Sequence, residues 1–413
     1  MPRIKPERMI RIAVVTGGLL LAVVLNLLYL RPILKASTVD FSQFYIAGQL
    51  VARGKVAQIY DVAAYAPLVA AAGLRRGTTY FNRPAFAAML CRPLAWFPYQ
   101  TSCNIIIGFN FLLWGLLVWK LPVWLGAPAH LRVWLLSFFP FLWSTALGQD
   151  TLAITFAVAY ACCALMRRNE TAAGVLLGFC LVKPHLIILL PLLLLIERRR
   201  RALISFLVTG CALGAISFAL IGVHGVQQWL ALLHTPMTDY SPGSMGNIRA
   251  LELHFGMPVA LAAGALTIAA GVVVMVRGNY LDRLSVSILL SLLLSPHTYW
   301  QDYSLTSILA LGAPDPLTRY MLLLPWCYFW PTLDMWPMVF VSLGCLLLMA
   351  ARTLRARKPA PNSGAFGVDA GHCLPEFTVP LARWRSKLPL SEVVCNSFCL
   401  VRRLLHQGRI ART

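Results

Sequence analysis

The stretch from Arg167 to Arg201, RRNETAAGVLLGFCLVKPHLIILLPLLLLIERRRR, carries a basic cluster at each end. Between them it is apolar except for Lys183-Pro184-His185 at its centre. Clusters of Arg and Lys beside apolar spans stay on the cytoplasmic side of a membrane, so both ends of this stretch belong on one face. A single crossing cannot satisfy that. Two half-helices of about 11 residues, each roughly 16 Å long, joined at Lys183-Pro184-His185, would enter and return. Broken elements of this kind are tolerated where they line a protein-enclosed or wet cavity.

Composition agrees with a membrane setting. Of 413 residues 59% are hydrophobic and only 12% charged, which is far from a soluble domain. Apolar spans fall near 10–30, 103–121, 131–147, 151–166, 202–222, 257–276, 282–296, 303–314, 317–332 and 336–351. The expected fold is therefore an all-α polytopic membrane protein with about 10–12 membrane segments, including the hairpin around Lys183. The net charge of +21 sits in short clusters at span ends, so it reads as topology and not as a nucleic-acid surface. Most of the 11 cysteines lie in apolar runs as small hydrophobes, with no disulfide framework or zinc spacing. The run Ile12–Leu30 reads as a retained signal anchor. Residues 1–354 form one membrane domain on this reading. The rest, 355–413, is rich in Pro and Gly at its start and reads as a disordered cytoplasmic tail with a short amphipathic helix.

With the hairpin in place the remaining basic clusters share one register, and the opposite, extracytoplasmic face receives a long first loop, about 31–102, together with GQD at 148–150, the loop 223–256, SPHTYWQD at 295–302 and WPTLDMW at 330–336. The polar residues beside spans thus converge on one face. In VDFSQFYIAGQLVARGKVAQIYD, Asp40 precedes Phe41, Phe44 and Tyr45, which share a helical face. A helix lying at the outer interface would bury those rings and hold Asp40 at its start. Capping, with Gln43 three residues on, explains Asp40 equally well from spacing alone. Lys183 is an ionisable residue within a membrane segment, functional by default, and a compact cation suits a phosphate; a snorkelling lysine is the plainer alternative. His297, with Asp302 five residues on, fits a base oriented by a carboxylate, or a loop histidine satisfied locally. Arg83, Gln149 with Asp150, and Asn247 with Arg249 add polar contacts. No Walker loop, GxGxxG or strand-rich domain is present to hold a soluble nucleotide donor. Any donor comes from the membrane itself.

The strings DFSQFYIAGQLVARGKVAQIYD, NRPAFAAMLCRPLAWFPY, LGQD, AGVLLGFCLVKPHLIILLPLLLL and SPHTYWQDYSL, in that order, resemble glycosyltransferase family 87 of the GT-C superfamily. The resemblance spans residues 10 to 350. It implies inverting transfer of a hexose, often mannose, from a polyprenyl-phosphate sugar to a lipid or glycan acceptor on the extracytoplasmic face of the cell membrane. It also implies that Asp40 matches the acidic active-site residue after the first span, Lys183 the lysine of a KP motif and His297 the histidine of an SPH motif. The sequence departs where NRP stands in place of a YPP-like string, where GQ precedes Asp150, and where GNIRAL replaces an Asn-x-Ser string.

Inversion requires a base for the acceptor hydroxyl and an anion stabiliser for the departing phosphate. Asp40 and His297 are the catalytic candidates. Lys183 and Arg83 are the candidates for the donor phosphate, with Tyr45, Gln149, His185, Asn247, Arg249, Tyr299 and Asp302 as further substrate contacts. The donor lipid is a substrate; no cofactor or metal is expected. Two other functions fit parts of the pattern. A lipid-linked-sugar flippase would also use broken helices and buried charges, though no half-chain repeat is visible. An envelope-polysaccharide scaffold with a decayed site would account for the NRP and GQD departures.

Overall fold

The computed structural model describes residues 38–74, 80–234, 245–313, 316–323 and 335–356, with isolated positions at 16, 17, 20 and 24. The chain divides into two units, Met1–Arg357 and Lys358–Thr413. The expected signal anchor, most of the 317–332 span and the tail with its amphipathic helix lie outside the described residues.

The described residues are helical, without strands. Among the described residues four helices are long and apolar enough to cross a membrane: Tyr99–Trp124, Arg200–Leu233, Met257–Arg277 and Trp336–Arg355. At 1.5 Å per residue, a crossing of ~30 Å takes about 20 residues. The other expected spans are shorter. Thr151–Met166 has 16 residues and Tyr280–Leu294 has 15, and both are buried over most of their length. They are internal packing elements more than lipid-facing ones. The span expected at 131–147 is two helices, Leu131–Leu136 and Phe139–Ala146. The break follows from Pro140, which has no N–H to continue a helix but is tolerated in a first turn. The span expected at 303–314 is a 3₁₀ stretch, Trp300–Leu305, followed by the short helix Thr306–Gly312.

The hairpin is present. Helix Glu170–Phe179 gives way to two 3₁₀ turns, Cys180–Val182 and Pro184–Leu186, before helix Leu190–Ile196. Its two ends meet: Arg199 pairs with Glu170 at 3.3 Å. A continuous helix over the same residues would hold these ends about 40 Å apart. Arg283 on the neighbouring Tyr280–Leu294 helix pairs with Glu197 at 2.9 Å on the same rim. The next helix, Arg200–His234, bends at Gly222, where φ is 64°, a conformation costly for any residue with a Cβ. The bend lets Trp229 pack back on the first loop, donating its indole N–H to the Asn82 carbonyl at 3.2 Å.

Two apolar clusters form the core. One gathers Phe41, Phe44, Tyr45, Tyr60, Tyr65, Phe81 and neighbours from the first loop. The larger one joins the membrane helices from Leu113 to Ala350. The charged residues described next bridge the seam between them.

Candidate active site

The helix Thr38–Ala52 carries Asp40 in its first turn, where a carboxylate is favoured by the helix dipole. The helix begins before Asp40, so this residue is not the N-cap that spacing alone allowed. The rings that share its face are buried, as expected: Phe41 fully, with Phe44 and Tyr45 7% exposed. Phe41 and Tyr45 pack against Tyr99 with ring centroids at 5.5 and 5.2 Å, and the Arg83 guanidinium lies over the Phe44 ring at 5.9 Å. These rings form a dry wall behind Asp40. Tyr45 itself is occupied structurally, donating its hydroxyl to the Phe97 carbonyl and accepting from Gln49.

Gln149 reaches Asp40 from the turn between Phe139–Ala146 and Thr151–Met166. Gly148 has φ +63°, and a Cβ there would lie 3.0 Å from the Phe41 Cβ. Backbone conformation and close approach therefore both call for glycine. The turn brings Gln149 Nε2 within 2.8 Å of Asp40 Oδ2. Gln149 Oε1 accepts from an Arg83 Nη at 3.3 Å.

Arg83 is fixed on several sides. It donates from Nε and Nη to the two Asp150 oxygens at 3.0 and 3.3 Å, and from its other Nη to Asn82 Oδ1. Asp150 also approaches Lys183 Nζ at 3.5 Å. Lys183, 3% exposed, donates to Asp302 Oδ1 at 2.9 Å and to Thr151 Oγ1 at 2.7 Å. The result is a chain of alternating charge: Asp40, bridged by Gln149 to Arg83, then Asp150, Lys183 and Asp302. Burial alone would raise the Asp150 carboxyl, but Arg83 and then Lys183 outweigh it and hold it down at about 2. The same opposition operates at Asp302, where Lys183 and then His185 overcome burial and lower its pKa.

Here one expectation is corrected. Asp302 does not orient His297: its Oδ1 is taken by Lys183 and its Oδ2 accepts from the Tyr299 backbone N–H. The bond to the buried lysine and the local capping geometry outcompete a bond to an exposed loop imidazole. His297 sits on the outer loop, held through its backbone by the Ser295 hydroxyl. Partial desolvation and the Arg249 guanidinium push its imidazole pKa down, so it is neutral at pH 7. Lys183 likewise is no snorkelling side chain; it is enclosed and paired.

Asn247 is buried and acts as N-cap of Ile248–Phe255, accepting from the Arg249 N–H and donating to the Ser295 carbonyl. It ties the SPH loop to that helix. Arg249, exposed, makes no ion pair with any described residue and is electrostatically coupled to His297 and Tyr299. Tyr299 in turn feels Asp40 and Asp302. His185, half-buried, follows Lys183 in the hairpin turn and is coupled to Asp302 and Lys183. The structure thus gathers the candidates from all five motifs, while turning Tyr45 and Asn247 to structural duties.

Three residues escaped the sequence reading: Thr151, Asn82 and Asn110. The Asn110 amide donates to the Gln149 carbonyl at 3.0 Å. Its signal was an amide deep in an apolar span, and such a group must find a partner. Beside the GQD turn lies a cavity of about 410 Å³, lined by Phe44, Leu90, Phe109, Ile154 and Phe179, with Gln149 and Asp150 at its polar end. Leu90, Phe109 and Phe179 on its wall are also exposed at the outer surface, so the cavity runs from an apolar part of that surface to the charged chain.

No curated protein and no solved structure shows a significant match to the chain. The model of glycosyltransferase family 87 matches residues 81–296. That stretch contains Arg83, the GQD turn, Lys183, Asn247 and Arg249; Asp40 and His297 lie outside it and join it through the contacts above. As the match covers just over half of the sequence, the chain belongs to glycosyltransferase family 87.

Proposed function

We propose that this glycosyltransferase takes a hexose, mannose in the first instance, from a polyprenyl-phosphate sugar and passes it with inversion to a lipid or glycan acceptor. The reaction occurs at the extracytoplasmic face of the cell membrane. The single observation that carries the reading is the juncture of an apolar cavity, reachable from an apolar part of the surface, with a buried carboxylate and two buried cations. A prenyl chain fits the apolar wall. Its phosphate would then arrive at Asp150, beside Arg83 and Lys183. The basic clusters at the opposite ends of the spans support the sidedness.

In the step itself the acceptor oxygen bonds to the anomeric carbon as its proton passes to Asp40. The bond from that carbon to the phosphate oxygen breaks, and the electron pair leaves with polyprenyl phosphate. The phosphate gains negative charge as it leaves. Asp40, Asp150 and Asp302 outnumber Arg83 and Lys183 by one, and Arg249, whose charge is felt at Tyr299 and His297, supplies the balancing cation. His297, neutral at pH 7, receives or relays the proton toward solvent.

The test is turnover of the purified protein in lipid vesicles with radiolabelled polyprenyl-phosphate mannose, and separately the glucose and arabinose analogues, beside Asp40→Asn. Asp40-dependent release of polyprenyl phosphate is expected with one donor. Binding of every donor without turnover, at normal protein levels, would overturn the reading in favour of a flippase or scaffold.

A further inference from the structure

Gln149 links Asp40 to Arg83 in the charged chain, and its own geometry leaves it one orientation. Its amide is 4% exposed, with Nε2 facing the Asp40 carboxylate and Oε1 facing the Arg83 guanidinium. A flipped amide would set oxygen against carboxylate and N–H against guanidinium, unfavourable on both sides. The backbone is fixed too. The Gln149 N–H donates to the Ser144 carbonyl at 3.0 Å, and its carbonyl accepts from Asn110. Both ends of its side-chain amide and both of its backbone groups thus have partners within the protein, which hold the residue in place.

Arg83 does not contact Asp40 directly in the described network; it acts on Gln149, and its charge is met by Asp150 through two bonds. An arginine placed directly on Asp40 would make that carboxylate a weaker base, because an opposite charge favours the ionised form strongly. An intervening amide transmits orientation while presenting only a dipole.

We propose that Gln149 is a positioning residue for the transfer proposed above, aiming the Asp40 carboxylate at the acceptor hydroxyl, with Arg83 as the group that sets its amide. This rests on Asp40 being the base, as proposed above. The role differs from the substrate contact expected of Gln149 from sequence. A substrate contact would change donor or acceptor KM, whereas a positioning group changes kcat and the pH profile.

The experiment uses the full chain in vesicles, with Gln149→Ala, Gln149→Glu and Asp40→Asn compared for expression, thermal stability, kcat, KM and pH profile. Gln149→Ala is expected to lower kcat by about 10–100-fold with donor KM within threefold, the scale of a mis-set general base. Gln149→Glu, of the same shape, faces one carboxylate with another, so the acid limb of the kcat profile moves upward by a pH unit or more. An infrared carboxyl band removed by Asp40→Asn shows the same upward movement in Gln149→Glu without any turnover. An unmoved band and pH limb, or a loss confined to KM, overturns the positioning role. Should Asp40→Asn retain full activity, the underlying assignment of the base fails instead, and the two failures are told apart by that variant.

Discussion

Two ion pairs of equal length lie in contrasting surroundings. Lys183 to Asp302 and Arg283 to Glu197 both measure 2.9 Å, but the first pair is 3% exposed on each side while the second is 22% and 10% exposed. The rim pairs, with Arg199–Glu170, tie the ends of the hairpin together in contact with solvent, where such a link is worth about 0–1 kcal/mol. They record topology. The inner pairs sit away from water, where removing one partner strands the other and costs about 3–5 kcal/mol. A cost of that size is sustained in a protein when the charges do chemistry, and this is where the cavity ends.

That contrast can be broken most forcefully at Lys183. Lys183→Met leaves Asp302 and Asp150 without their shared cation, and a loss of about 3–5 kcal/mol is expected in thermal or denaturant unfolding, with turnover abolished. The double variant Lys183→Met/Asp302→Asn should recover part of the stability and none of the activity. If the single variant is as stable as the wild type, the inner and rim pairs are equivalent after all.

Next in size is Asp40→Asn, expected to lower kcat at least about 10²-fold with unfolding shifted by less than about 1 kcal/mol. It separates chemistry from stability within the inner region. A smaller effect comes from acid. Asp150 has its folded-state pKa lowered to about 2, so its contribution is present above the ordinary carboxylate value near ~3.9 and is lost as pH falls from there through 2. Unfolding temperature followed between pH 5 and 2 should fall in the wild type, and Asp150→Asn should flatten that fall. The least effect belongs to the rim: Glu170→Gln is expected to cost about 1 kcal/mol or less and to leave turnover unchanged. A rim variant that abolished turnover would show that the hairpin ends are coupled to the site.

Much of this was legible in the amino-acid order wherever the information is local. Apolar runs define helices because hydrophobic transfer acts on each segment in turn. The hairpin was readable locally as well: both of its ends are marked by arginines, and Lys183-Pro184-His185 interrupts the helix between them. Where a segment's length depends on its neighbours the reading failed. Nothing in 131–147 or 303–314 alone says that these spans are short, broken and enclosed.

The site divides along the same line. Asp40, Lys183 and His297 stood out as candidates because they are ionisable groups against an apolar background and match the motifs of the family resemblance. Which groups pair was not: Asp40 meets Gln149 across 109 positions, Lys183 meets Asp302 across 119, and the local pairing of His297 with Asp302 did not form. A carboxylate within the chain has many cations to choose from, and sequence distance does not rank them. Only the packing of the first-loop cluster against the membrane helices selects the partners, because desolvation at that seam makes every unpaired charge costly and leaves one arrangement in which the charges alternate.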